Sequence, residues 1–207
     1  MRISLPAFCA CAALALVTFF SPAQTAPSSP EVAPGVSLPS GGLLYALDKN
    51  DDKPSLVALH ATEILSNTHA GSNFARSMVY SGPHFTVEIA NSTSERSIHT
   101  KMPVFYLRLS GSDAETMRSR VALLRLWNGK KNTRVAAEFS RNIFGGSNKR
   151  VIDEVAIKKE DVGDSGWLKI TPESPLEPRE YAIAFVPKDK LLFADTLYDF
   201  TVVDSAK

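Results

Sequence analysis

His60, His69, His84 and His99 are the side chains whose ordinary pKa suits acid–base or metal chemistry near neutral pH. No two of them stand four residues apart, as on one helix face, and no His-x-His strand pair occurs, so no metal site is expected from their spacing. A hydrolytic site would have to be assembled from loops, with His84, His99 and Asp195 as its candidate members. The carboxylate pairs Asp153-Glu154 and Glu160-Asp161 are adjacent, and neighbours on a strand point to opposite faces, so neither pair can flank one bond. No G-x-S-x-G elbow is present, and Gly145-Gly146-Ser147 lacks phosphate-loop spacing. Asp48-Lys49-Asn50-Asp51-Asp52 opens like a calcium loop, but Lys53 replaces the turn glycine and Leu59 the bidentate glutamate, so a solvated turn is the reading. Asn91-Ser92-Thr93 fits a glycosylation acceptor and is read as a polar turn. No catalytic residue, metal ligand or cofactor follows from these patterns.

The cations are more informative. Arg118, Arg120, Arg125, Lys130, Lys131, Arg134, Arg141, Lys149 and Arg150 crowd one stretch in which Glu138 is the single acid, and acids outnumber bases from Asp153 to Asp204. Basic strands lying beside acidic ones explain this, since opposite charges across a sheet attract. The functional alternative is an anion-binding face. Arg125 shares its strand face with Val121, Leu123 and Trp127, which predicts a partly covered ion-pair partner. Lys130, Lys131 and Arg134 flank the turn after Asn128-Gly129 and are the candidate contacts for an anionic polymer or an acidic partner.

The first 26 residues have the layout of a secretory signal. Arg2 is followed by an uncharged apolar run from Ala7 to Phe20, and Ser21-Pro22-Ala23 and Thr25-Ala26 offer small-residue cut sites. Cleavage would leave a periplasmic or secreted chain without a transmembrane helix. Both cysteines, Cys9 and Cys11, lie in this leader, so the mature chain has no disulfide or thiolate. Of 23 basic side chains Arg2 goes with the leader, leaving 22 against 22 acidic ones. A neutral chain is not built for nucleic acid. Residues 27–41, with Pro27, Pro30, Pro34 and Pro39, read as a tether, and residues 42–207 as one domain.

That domain is expected to be all-β. Short apolar or alternating runs recur at 43–47, 56–60, 76–80, 85–90, 104–109, 121–127, 135–139, 151–157, 167–170, 181–186 and 198–203. Phe85, Val87 and Ile89 fall on one face, as do Phe105, Leu107 and Leu109, which is the period of a half-buried strand. One short helix over 113–119 is predicted, with Ser112 and Glu115 as a capping box. Pro175-Leu176-Glu177-Pro178 turns into a strand opened by Tyr181. This is the pattern of the tyrosine corner of immunoglobulin-like antiparallel sandwiches, where the hydroxyl returns to upstream backbone.

With Pro103-Val104-Phe105-Tyr106, Leu123-Leu124-Arg125-Leu126 followed by Arg134, Pro175 to Ala182, and Leu197-Tyr198-Asp199-Phe200, the chain resembles a group of bacterial secreted proteins of uncharacterised activity. Arg179 stands where that pattern has glycine. The resemblance implies export and a β-sandwich, and brings no catalytic residue with it. The expectation is a non-catalytic, envelope-associated binding or interaction module. A secreted hydrolase with a loop-assembled histidine–acid site is the alternative.

Overall fold

A computed structural model of the chain describes residues 29–50, 53–67, 84–140, 149–190, 192–194 and 196–204. Its strands are β1 (Glu31–Ala33), β2 (Val36–Ser37), β3 (Leu44–Asn50), β4 (Lys53–Ala58), β5 (Ile64–Asn67), β6 (His84–Ala90), β7 (Ser97–Ile98), β8 (Val104–Arg108), β9 (Val121–Arg125), β10 (Trp127–Asn128), β11 (Thr133–Ser140), β12 (Lys149–Val151), β13 (Glu154–Val155), β14 (Ile157–Asp161), β15 (Trp167–Pro172), β16 (Glu180–Phe185) and β17 (Leu197–Val202). The helix α1 spans Ala114–Arg120. The fold is an all-β sandwich, and the one parallel ladder among the described strands joins β17 to β7. No described helix is long and apolar enough to cross a membrane.

Burial along the strands shows how the sheets stack. The sheet β13-β9-β16-β17-β7 is covered on both faces: β9, β16 and β17 are buried at nearly every residue, not at alternate ones. Its large side chains, Val121, Leu123, Tyr181, Ile183, Tyr198 and Phe200, pack with Leu44, Phe105, Leu107, Leu168 and Ile170 of the sheet β14-β15-β8-β3-β4. Its small ones, Ala122, Ala182 and Ala184, pack with Ile89 and Ala136 of the sheet formed by β5, β6, β10, β11 and β12. A third layer therefore lies on the face that a two-layer sandwich would leave to water.

Several local readings need correction. The run 121–127 is not one strand. It breaks at Leu126, where the chain passes from β9 in the middle sheet to β10 in the outer one. The hairpin expected after Asn128-Gly129 is present between β10 and β11, and it turns with Lys131 and Asn132 in left-handed backbone (φ 56° and 62°). The α1 N-cap is Asp113, which makes no side-chain capping bond, so the Ser112–Glu115 box does not form. Part of the expected tether is folded. β1 and β2 pair as a hairpin, and Leu38, 1% exposed, packs with Tyr106 and Trp167. The proposed strand at 76–80 lies outside the described residues.

Tyr181 is fully buried. Its hydroxyl donates to the carbonyl of Glu177 at 3.1 Å, and its ring stacks on Phe200. This bond fixes the turn 177–180 against β16 and so sets the position of Glu180 at the strand's first residue.

Candidate functional site

Strand register brings three charged groups together at one end of the alanine-lined interface. On β17 and β16, Asp199 pairs with Ala182 and Thr201 with Glu180, so Glu180, Asp199 and Thr201 share the face turned toward β11. Arg134 lies opposite Ile89 in the β11–β6 ladder and turns inward with it. Its side chain is 3% exposed, against 12% for Glu180 and 9% for Asp199. One Arg134 terminal nitrogen, Nη1, donates to Glu180 Oε2 at 2.8 Å and to Asp199 Oδ2 at 2.6 Å. Nε and Nη2 donate to the carbonyls of Asn91 and Ala90.

Hydroxyls and backbone complete the shell. Glu180 Oε1 accepts from Thr201 Oγ1 at 2.6 Å, and Oε2 accepts from Ser94 N–H at 2.9 Å. Asp199 Oδ1 accepts from Thr62, whose N–H also donates to the Leu197 carbonyl. Burial pushes the Asp199 carboxyl up, but the Thr62 hydrogen bond, the hydrogen bond and charge of Arg134 and the Ser94 hydrogen bond outweigh it and hold the group below its ordinary value. The cluster is thus one guanidinium against two carboxylates.

A cavity of about 290 Å³ opens beside it. The cause is a gap along one edge of β17. Thr62 occupies that edge at Leu197, and β7 occupies it at Thr201 and Val202, which leaves Asp199 between them. The walls are the segment His60 to Glu63 and the loop from Ala90 to Arg96, with Arg134 and Asp199 as the floor. Asn91 takes left-handed backbone (φ 66°) as the chain leaves β6, which turns the loop over the cavity.

Arg134 is therefore not a surface cation. It was expected with Lys130 and Lys131 as a contact, but the β11 register carries it inward, and four hydrogen bonds to acids and carbonyls occupy it. Lys130 and Lys131 are exposed at the hairpin tip. Because Thr133 lies opposite Ala90, this tip stands at the same end of the sheet as the cavity loop. Arg125 is half-buried and pairs with Asp153 at 3.1 Å. Arg118 pairs with Asp161, and Arg150 donates to the carbonyls of Pro187, Asp189 and Leu192. Of the described cations in the basic stretch, Arg118, Arg125 and Arg134 pair with acids, Arg150 is held by carbonyls, and Arg120, Lys130, Lys131 and Lys149 are exposed; Arg141 lies outside the described residues.

The described histidines, His60, His84 and His99, do not converge, and His69 lies outside the described residues. His99 Nδ1 lies 2.7 Å from Asp48 Oδ2, while Asp48 Oδ1 accepts from the backbone N–H of His99 and Thr100. His84 pairs with Glu138 on β11, and His60 is exposed at the cavity wall. Asp195 lies outside the described residues. Among those residues no group of three histidine or acidic side chains is placed to hold a metal.

Glu180, Asp199, Thr62 and Ser94 escaped the reading of the sequence. The available signal was an acid set between two aromatics, Tyr198-Asp199-Phe200. Strand alternation assigns such an acid to the opposite face, which becomes the interior once a third sheet covers it. No family model, curated protein or solved structure matches the chain.

Proposed function

We propose that the chain is an exported, non-catalytic binding module whose contact with an anionic envelope polymer is made at the end of the sandwich bearing the Lys130–Lys131 tip. The observation that carries this reading is the sorting of the basic stretch: Arg118, Arg125, Arg134 and Arg150 are engaged by acids or carbonyls, Arg120 and Lys149 are exposed on α1 and β12, and Lys130 and Lys131 stand exposed side by side at one hairpin tip. The cavity floor supports it, because the Asp199 and Glu180 carboxyl oxygens are engaged by Arg134, Ser94 and Thr201. The leader and the resemblance to secreted sandwich proteins support export. The test is retention on immobilised polygalacturonate against neutral dextran. Lys130→Ser/Lys131→Ser should keep the wild-type denaturation midpoint and lose most retention, and wild-type retention should fall in roughly 1 M salt, where charge is screened beyond about 3 Å. Retention unchanged in the variant, or indifferent to salt, would remove the tip as the contact.

A second reading, a hydrolase, is favoured by one observation, the 2.7 Å His99–Asp48 bond, which is the base–orienter half of a nucleophilic site. Ester hydrolysis abolished by His99→Gln would establish it, and hydrolysis unchanged in that variant would dismiss it.

A further inference from the structure

The cavity at the gap in the β17 edge has an excess of acidic side chains among the described residues. Arg134 brings one positive charge to two carboxylates that are each about nine-tenths buried. The remaining wall adds Glu63 and Glu95 against Arg96. Three carboxylates, Glu63, Glu95 and Asp199, and two guanidiniums therefore line the cavity, a net of one negative charge, and Glu180 adds a further carboxylate against Arg134 outside the lining. The surplus at the floor sits where water is largely excluded and an uncompensated charge is costly.

The two floor acids are not equivalent. Glu180 faces away from the cavity and is wrapped by Ser94, Thr201 and Arg134. Asp199 lines the cavity, and its carboxylate accepts from Thr62 on one oxygen and Arg134 on the other, with the Ser94 side chain as a further hydrogen-bond partner. A carboxylate offers about four acceptor sites, so Asp199 keeps acceptor capacity toward the cavity. The hydroxyl residues Thr62, Thr93 and Ser94 and the amide of Asn91 add polar lining without charge.

We infer that this cavity binds an organic cation, a primary ammonium group carried on a short aliphatic chain, with Asp199 at its base and Glu63 and Glu95 at its rim. An ammonium group has three donors and no acceptor, which suits a wall rich in carboxylate and hydroxyl oxygens. The volume, about 290 Å³, admits a chain of a few carbons behind it. A bare metal ion fits less well, since no three of the described acids or histidines are grouped to chelate one. This site is separate from the lysine tip and takes ligands of the opposite charge.

The test uses n-butylammonium chloride as the probe, with sodium butyrate, 1-butanol and sodium chloride of equal ionic strength as controls, read by calorimetric titration and by the thermal midpoint of the full exported chain. Saturable binding at millimolar concentration and a raised midpoint are expected for the ammonium alone. Glu63→Gln/Glu95→Gln, at exposed rim positions, should weaken binding about tenfold, and Ala61→Trp, which fills the cavity mouth, should abolish it. In both variants the ligand-free midpoint shows that the fold is kept, and Asp199→Asn adds a third arm where it folds. A response shared by butyrate or butanol, or affinity unchanged in the rim and cavity-filling variants, would overturn the inference. Retention on polygalacturonate is scored separately, so failure of one site is not failure of the other.

Discussion

Replacing Arg134 with methionine should be among the most damaging single changes in the described structure, and its pH dependence should be inverted relative to the parent. The substitution keeps most of the aliphatic stem but removes the donors to Glu180, Asp199, Ala90 and Asn91. Two carboxylates, 12% and 9% exposed, then face each other without a cation. Breaking a buried ion pair by removing one partner costs about 3–5 kcal/mol. With a urea slope of about 2 kcal/mol/M, the midpoint should fall by about 1.5–2.5 M. In the parent, Asp199 has a depressed pKa when folded, so its stabilising contribution is present above the unfolded value of about 3.9 and is lost as pH falls through the lower folded value. In the variant, burial and like-charge repulsion raise the folded values above the unfolded ones. The folded state then binds more protons than the unfolded one, and acidification from pH 7 toward about 5 should stabilise it. Urea titrations of both proteins from pH 7 down to about 3 cover both windows and measure the two slopes. A loss below about 1 kcal/mol, or a variant that follows the parent's slope, would refute the claim that Arg134 neutralises a buried acidic pair.

Tyr181→Phe should lower stability by about 0.5–1.5 kcal/mol by urea denaturation, the net worth of the hydroxyl bond to Glu177, and an unchanged midpoint would show that the corner does not depend on it. Leu38→Ala should cost about 2–5 kcal/mol, because the side chain is buried with Tyr106 and Trp167. A cost near zero would return the segment before residue 41 to the status of a tether. Intact-mass analysis of the exported chain should give a mature start at Gln24 or Pro27, and a species that keeps Arg2 through Phe20 would defeat the signal-peptide reading.

The fold class was legible because period-two alternation is a strong and local signal. Phe85, Val87 and Ile89 lie on one face of β6, and Tyr181 and Ile183 pack in the core of β16, as their spacing demands. Boundaries were less legible. The apolar run 121–127 carries no glycine or proline to mark the break at Leu126, where the chain changes sheets. The hairpin turn likewise rests on Lys131 and Asn132 in left-handed backbone, a conformation that lysine does not advertise.

The third layer explains why the candidate site was hidden. In Tyr181-Ala182-Ile183-Ala184-Phe185, the alternation of large and small residues reads as one buried face and one indifferent face. Alanine is nearly neutral in such a reading, yet here Ala182 and Ala184 are the contact surface for a second sheet. Once their face is interior, everything else on it is interior too. Glu180 becomes a part-buried acid and Asp199 a buried one, Arg134 becomes their obligatory counter-charge, and the cation that looked like a turn residue moves from the surface to the floor of a cavity. The same geometry limits how the site can vary. A larger residue at Ala182 or Ala184 would push the sheets apart at the point where Arg134 must reach 2.6 Å from Asp199. Close alanine packing and the charged cluster are therefore coupled, and a volume change in one should be felt as lost pairing in the other.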